Sequence, residues 1–490
     1  MWKPVLALDP ADSRPKFLQL AETLSADVAR GRLHAGDPLP STRDLAAQLG
    51  VHRKTVTAAY RELASQGWIA LSAGRTARVV ADVPASPRRA RERHPATRAG
   101  FELRGVALAH APPLGRPPRQ LLLLGGVPEL RFVPQLAVGR AYRSVLAGRD
   151  GARLLDYRDG QGDAQLRVAL ADMLRGTRGL ACTEETVAVV RGGQQALYLL
   201  ARVLLRPGDR VAVEALSYPA ALAAFRAAGV EPVPVALDRE GLDVAALEEL
   251  CAQEDVRAIY VIPHHQVPTT VTLSAARRLR LLELARRRRL PIIEDDHDHE
   301  FQYDGRPVLP LTAADPHGNV VYVGTLAKVL APGLRIGYLS ATRDVVERVV
   351  AYREAVDQQG DHVLERAIAN LITDGTIARH IRRARRAYRQ RRDALIEALR
   401  RQLPELRFTT PPGGMAVWGR APGVDAVTWA TRARAVGVSF QPGPRFALDG
   451  GATHHVRLGF AACTEQELDE AVRRMAATMP RRRGATPASG

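Results

Sequence analysis

Five short apolar runs punctuate the middle of the chain: Val187-Ala188-Val189-Val190, Arg210-Val211-Ala212-Val213, Ala258-Ile259-Tyr260-Val261-Ile262, Pro291-Ile292-Ile293 and Val320-Val321-Tyr322-Val323. Helical patterns alternate with them. The runs are too short to be helices and too uniformly apolar to be half-exposed strands, so they predict a parallel sheet with helices on both faces. That architecture constrains chemistry as well as fold, because open α/β sheets take their ligands beyond the carboxyl ends of the strands.

At 490 residues and 46% hydrophobic content, the chain has enough material for two or more domains. Residues 12–82 carry short helical patterns. Residues 83–120 are rich in Pro and Arg without periodicity, as expected of an extended linker. Residues 121–479 hold the apolar runs, a long Arg-rich helical pattern from about Ala378 and a smaller α+β portion, and residues 480–490 are expected to be a disordered tail. The N-terminus, Met1-Trp2-Lys3-Pro4, lacks an apolar leader, and no apolar stretch is long enough to span a bilayer. Cys182, Cys251 and Cys463 lie far apart, without metal-type spacing, which points to reduced thiols. The expectation is a cytoplasmic protein with no membrane partner. A formal net charge of +18 favours a polyanionic partner such as nucleic acid.

Near the N-terminus, Leu20, Leu24 and Val28 form one stripe of an amphipathic helix between Phe17 and Arg32. Ser41 stands as an N-cap with Asp44 three positions on, opening a short helix that Gly50 stops. A third helix follows, burying Val56, Ala59, Tyr60 and Leu63 and leaving Arg53, Lys54, Thr55, Thr57 and Arg61 outside. Trp68–Leu71 and Ala77–Val80 then form a two-stranded wing around Arg75. Together these elements predict a winged helix-turn-helix, with Arg43, His52, Arg53, Lys54, Thr55 and Arg75 as candidate contacts to a double-stranded DNA operator. The run Leu-Pro-Ser-Thr-Arg, a short helix, Gly, then Arg-x-Thr-Val and Tyr-x-x-Leu resembles the GntR-type winged helix. The wing turn Ala73-Gly74-Arg75-Thr76 departs from that family's Gly-Ser-Gly-Thr.

Only four lysines occur, Lys3, Lys16, Lys54 and Lys328, and Lys328 stands alone in the larger domain. Drift of codons toward Arg is one explanation. The other is chemical, since an amine can form an imine with an aldehyde and a guanidinium cannot. Several motifs favour the chemical reading. Arg191-Gly192-Gly193-Gln194 follows a strand and opens a helix, a place where a phosphate can dock. Tyr218 follows the next strand and can stack on a flat heterocycle. Asp295, in Glu294-Asp295-Asp296-His297, can hold a pyridine nitrogen protonated. Thr325 and Arg335 flank Lys328 as phosphate ligands. Arg457 is a candidate clamp for a ligand carboxylate. A rival metal site from Asp295, Asp296, His297, His299 and Glu300 lacks a second convergent segment, so no metal is expected.

In that order, Tyr157-Arg158-Asp159-Gly160, Gly192–Ala196, Tyr218, Asp295, Lys328, Arg335 and Arg457 resemble the fold-type I aminotransferases, which use pyridoxal 5'-phosphate (PLP). With a GntR-like winged helix in front, the chain is similar to the MocR-type regulators. The resemblance implies a fold-type I aminotransferase-like α/β domain, Lys328 as the cofactor's imine partner, and a homodimer. It also implies a regulator that senses an amine, an amino acid or PLP. The alternatives are a working aminotransferase with an accessory DNA-binding module and a cofactor-free dimerisation scaffold. Val267-Pro268-Thr269-Thr270 replaces the family's Asn-Pro-x-Gly and removes an amide donor to the ring hydroxyl. His297 takes the place of a Tyr that reaches the same hydroxyl, and Ala327 replaces a hydroxyl residue before the lysine. These departures favour sensing over turnover.

Overall fold

The computed structural model describes residues 12–72, 75–80, 102, 120–305 and 308–480. Most of the expected linker, the wing tip at Ala73-Gly74 and nearly all of the expected tail lie outside them. The chain divides into two compact units, Met1–Gly105 and Val106–Gly490.

In the first unit, helix Lys16–Ala29 buries Leu20, Leu24 and Val28. Helix Thr42–Leu49 begins at Ser41, whose Oγ accepts the Asp44 N–H at 3.1 Å, and ends at Gly50 in the left-handed conformation, φ +62°. The cap and the glycine supply what the backbone of a two-turn helix cannot satisfy itself. Helix Arg53–Ser65 turns Val56, Ala59, Tyr60 and Leu63 inward, and the Tyr60 hydroxyl donates to the Pro40 carbonyl at 2.8 Å. Strands Ile69–Ala70 and Arg78–Val79 pair antiparallel as the wing. Their Ile69 and Val79 close the same core as Leu20, Leu45 and Leu63.

The second unit is built on a seven-stranded sheet. Its spatial order is Val187–Val190, Gly337–Ser340, Val320–Thr325, Ile292–Asp296, Val256–Val261, Arg210–Glu214 and Glu231–Val235. The expectation of an all-parallel sheet needs one correction: Gly337–Ser340 runs antiparallel to both neighbours. Only residues 326–336 separate it from the preceding strand, too few for the crossover that a parallel return requires. Five strands match the predicted runs and are buried almost throughout.

A smaller five-stranded sheet orders Arg407–Phe408, Ala416–Arg420, His455–Gly459, Val438–Pro442 and Leu121–Leu123. Its last strand comes from the start of the unit and pairs parallel with Val438–Pro442, tying the two ends of the chain segment together. Helix Thr376–Gln402 covers this sheet through Leu395 and Leu399, which share a core with Trp429, Leu458 and Leu468. All three cysteines are buried free thiols. Among the described residues no helix is long and apolar enough to cross a membrane.

Candidate functional site

The third helix of the first unit presents Arg53, Lys54 and Arg61 to solvent, and Arg43 is exposed on the helix before it. Arg53 Nε donates to Thr42 Oγ1 at 3.2 Å, which braces the guanidinium between the two helices. His52 is exposed, and its Nδ1 accepts the Lys54 N–H at 3.1 Å, so this ring caps the helix. Thr55 is half-buried, and Arg75 lies exposed beside the wing. A run of exposed cations at a helix N-terminus suits a phosphate backbone.

In the second unit the strands' carboxyl ends bring the predicted residues together. Lys328, in the loop after Val320–Thr325, donates from Nζ to the Gly126 carbonyl at 2.8 Å. Arg457, on His455–Gly459, lies over the adjacent Gly125, where an added Cβ would fall 1.6 Å from its Nη1. Gly125 and Gly126 are thus the floor that both cations share, and any side chain at Gly125 would evict Arg457. Sequence reasoning missed this pair, although two glycines closing the run Leu121–Leu124 were the available signal. Gln441 holds the segment by accepting the Gly125 N–H at 3.1 Å.

Gly192, at φ +81°, caps helix Gly193–Leu204 and sits 3.2 Å (by an added Cβ) from the Arg335 guanidinium. Arg335 donates to the Arg191 carbonyl at 2.7 Å, so a helix N-terminus and a cation face one place. Gln194 is exposed on the first turn. The Thr325 hydroxyl donates to the Ile336 carbonyl at 3.3 Å and accepts the Ala327 N–H at 3.1 Å. It braces the Lys328 loop. Loops that reverse a chain this sharply leave backbone groups to be satisfied, and a nearby hydroxyl is the cheapest partner.

Asp295 is buried and accepts the Tyr260 hydroxyl at 2.8 Å. Burial pushes its carboxyl pKa up, and no ion pair compensates it among the described residues. A protonated ring nitrogen is the kind of partner such a carboxylate lacks. Arg457 is 4% exposed, its Nε has no hydrogen-bond partner among the described residues, and burial lowers its pKa to about 10. Burial, followed by the charge of Arg457, lowers that of Lys328, which eases formation of the neutral nucleophilic amine. Tyr218 lies within the fields of Asp295, Arg335 and Arg457, its phenol pushed up chiefly by burial. The residues therefore fit a cofactor with a ring nitrogen, a phosphate and an aldehyde.

A second network went unnoticed in the sequence. His265 contacts Asp298 through Nδ1 at 2.7 Å and Gln302 through Nε2 at 2.9 Å. Burial opposes protonation of this imidazole, but the Asp298 carboxylate prevails and raises its pKa. His297 reaches the same carboxylate, Nε2 to Oδ2 at 3.4 Å. Two imidazoles on one buried carboxylate converge from separate loops, which no local motif reveals. Val267 is buried in the same apolar cluster as Val213, Ile262 and Phe446, so an apolar side chain stands where the family pattern has an amide. Thr270, where that pattern has Gly, adopts φ +63°. A β-branched residue is strained there.

Residues 136–475 match the family model for aminotransferase class I and II, and residues 17–79 match that for bacterial regulatory proteins of the gntR family. The chain is 32% identical to the probable rhizopine catabolism regulatory protein MocR of Rhizobium meliloti, over 96% of this chain and 94% of that protein. It is 35% identical to aromatic-amino-acid aminotransferase 1 of Thermococcus litoralis, over 73% of this chain and 87% of that enzyme. Among solved structures, α-aminoadipate aminotransferase LysN of Thermus thermophilus, complexed with N-(5'-phosphopyridoxyl)-L-leucine, is similar with a TM-score of 0.68 and 32% identity. That match covers 74% of this chain and 92% of LysN. A gntR-type head and an aminotransferase fold of the PLP-dependent class, matched together along nearly the whole of a MocR protein, make this chain a member of the MocR-type regulators.

Proposed function

We propose that this regulator binds a double-stranded DNA operator as a homodimer and holds PLP at Lys328, with a small amine, an amino acid or PLP itself as its effector. The observation that carries the reading is the sharing of Gly125-Gly126 by Lys328 and Arg457. A ligand with an amine and a carboxylate engages both cations, and therefore one backbone segment.

When bound, PLP supplies an aldehyde that captures a primary amine and a ring that draws electrons from it. Asp295 would hold the proton on the ring nitrogen, and the N-terminus of helix Gly193–Leu204, beginning at Gly192-Gly193, would take the phosphate together with Arg335. Tyr218 covers the ring. Arg457 receives an effector carboxylate through the Nε left unpaired. An effector amine that displaced Lys328 from the cofactor would return Nζ to the free amine, the form that donates to the Gly126 carbonyl. The two occupancies then hold Gly125-Gly126 differently, as a switch requires, because a ligand shifts an equilibrium only by its unequal affinity for the two states. The apolar Val267 gives the ring hydroxyl no donor, which favours stalled half-reactions over turnover.

Leu136, Leu155 and Tyr157 are 79%, 71% and 81% exposed, and these large side chains support burial against a second copy. Light scattering should give twice the chain mass; monomer alone would remove this part of the reading. Borohydride reduction followed by peptide mass analysis should find a pyridoxyl group on Lys328. Its absence from protein incubated with PLP would overturn the cofactor assignment.

A further inference from the structure

Successive residues of a strand point to opposite faces, so Asp295 and Asp296 serve different sites. Asp295 faces Tyr260 and the cofactor residues; Asp296 meets two histidines. His299 Nδ1 lies 3.0 Å from Asp296 Oδ2. His264 approaches from the loop after Val256–Val261, its ring 5.7 Å from that of His299 and nearly perpendicular to it at 85°. One ligand-capable atom from each residue lies within 4.8 Å of the others, and all three residues are more than nine-tenths buried. His264 Nδ1 and Asp296 Oδ1 have no hydrogen-bond partner among the described residues. Two unpaired buried atoms in one cluster are unusual in a folded protein, and a cation bound by both satisfies them together.

We propose that His264, Asp296 and His299 bind a divalent transition-metal ion of the zinc class, at a site separate from the cofactor. Two imidazoles and one carboxylate, with a fourth position left to water, are a donor set that zinc accepts. The sequence argued against a metal because Asp295 to Glu300 had no convergent partner; His264 is that partner. Neighbouring groups supply the outer layer. Tyr322 donates to Asp296 Oδ2 at 2.8 Å and steadies the carboxylate. Arg178 stands 3.9 Å from the same oxygen but is also paired with Glu300. Arg278 opposes loading, since its Nη2 donates to His264 Nε2 at 3.0 Å and so places the ring proton on Nδ1. Coordination through Nδ1 moves that proton to Nε2 and turns Arg278 away, leaving it the Leu273, Leu309 and Pro263 carbonyls. No net proton is released. The ion would clamp the two loops that carry His265 and Asp298.

The test uses full-length, PLP-loaded protein incubated with Co²⁺ or Zn²⁺ and desalted. One equivalent of metal per chain is expected, with Co²⁺ bands of low-symmetry nitrogen and oxygen coordination and no thiolate charge transfer. His264→Asn and His299→Asn should each lose that equivalent while keeping the cofactor's absorbance, which separates this site from the PLP site. Absence of metal from wild-type protein, whether incubated or grown with added zinc, overturns the proposal. So does an equivalent that persists in both variants. Should neither variant fold, X-ray absorption of the wild-type zinc form decides: two imidazoles without sulfur support the site, and sulfur ligation or fewer imidazoles refutes it.

Discussion

The cation-bearing helices of the first unit and the site around Lys328 in the second hold their charges in opposite ways. On the winged helix, Arg43, Arg53, Lys54 and Arg61 stand in solvent, where a charge costs little to maintain and acts through a field that salt screens. In the larger unit, Asp295 and Arg457 are buried, and Arg457 Nε has no hydrogen-bond partner among the described residues. Buried charges are expensive unless something pairs with them, so their presence around Lys328 points to a ligand that completes the set. The head suits a long polyanion met at its surface. The larger unit suits a small molecule that carries its own complementary charges.

The largest expected effect separates the units outright. Lys328→Ala should abolish the cofactor's protein-linked absorbance while leaving the unfolding of the winged helix unchanged; spectroscopy and calorimetry on the same sample check both. Ionic strength comes next. Operator binding should fall by roughly 10³-fold or more between low and physiological salt, through counterion release, while PLP retention barely moves. Equal sensitivity of both would erase the contrast. Arg457→Ala should weaken a carboxylate-bearing effector by about 1.5–3 kcal/mol in calorimetric titration, with little change for a plain amine. Arg53→Ala should cost about 1–3 kcal/mol in a mobility shift if the guanidinium reads a base edge. Smallest of all, Ser41→Ala should lower the stability of the first unit by about 1 kcal/mol in denaturant unfolding, through loss of the N-cap.

The head was more legible than the cofactor site, for a physical reason. Its helices are specified by neighbours in sequence: Ser41 with Asp44 at one end, Gly50 at the other, and an apolar stripe between. Those features lie within one or two turns of each other. What the sequence did not show is that the exposed ring of His52 also caps the helix through Nδ1. In the larger unit the motif residues Gly192, Asp295, Lys328 and Arg335 were recognisable one by one. Their floor at Gly125-Gly126 was not, because its meaning depends on Arg457 more than 300 residues away. The backbone partners of the Thr325 hydroxyl were likewise invisible, since only the turn of the loop brings the Ile336 carbonyl to it.

From the order of residues alone came the winged helix, the sheet alternating with helices, and the expectation that Lys328, the one amine side chain of the larger domain, serves an aldehyde cofactor. Periodicity, capping and residue chemistry are local properties, and a linear chain displays them directly. Folding alone decided that Gly337–Ser340 reverses direction, that the Leu121–Leu123 strand joins the C-terminal sheet, and that His264 meets Asp296 and His299. Those outcomes depend on which distant segments the hydrophobic core brings into contact, and contact between distant segments is what a one-dimensional pattern does not record.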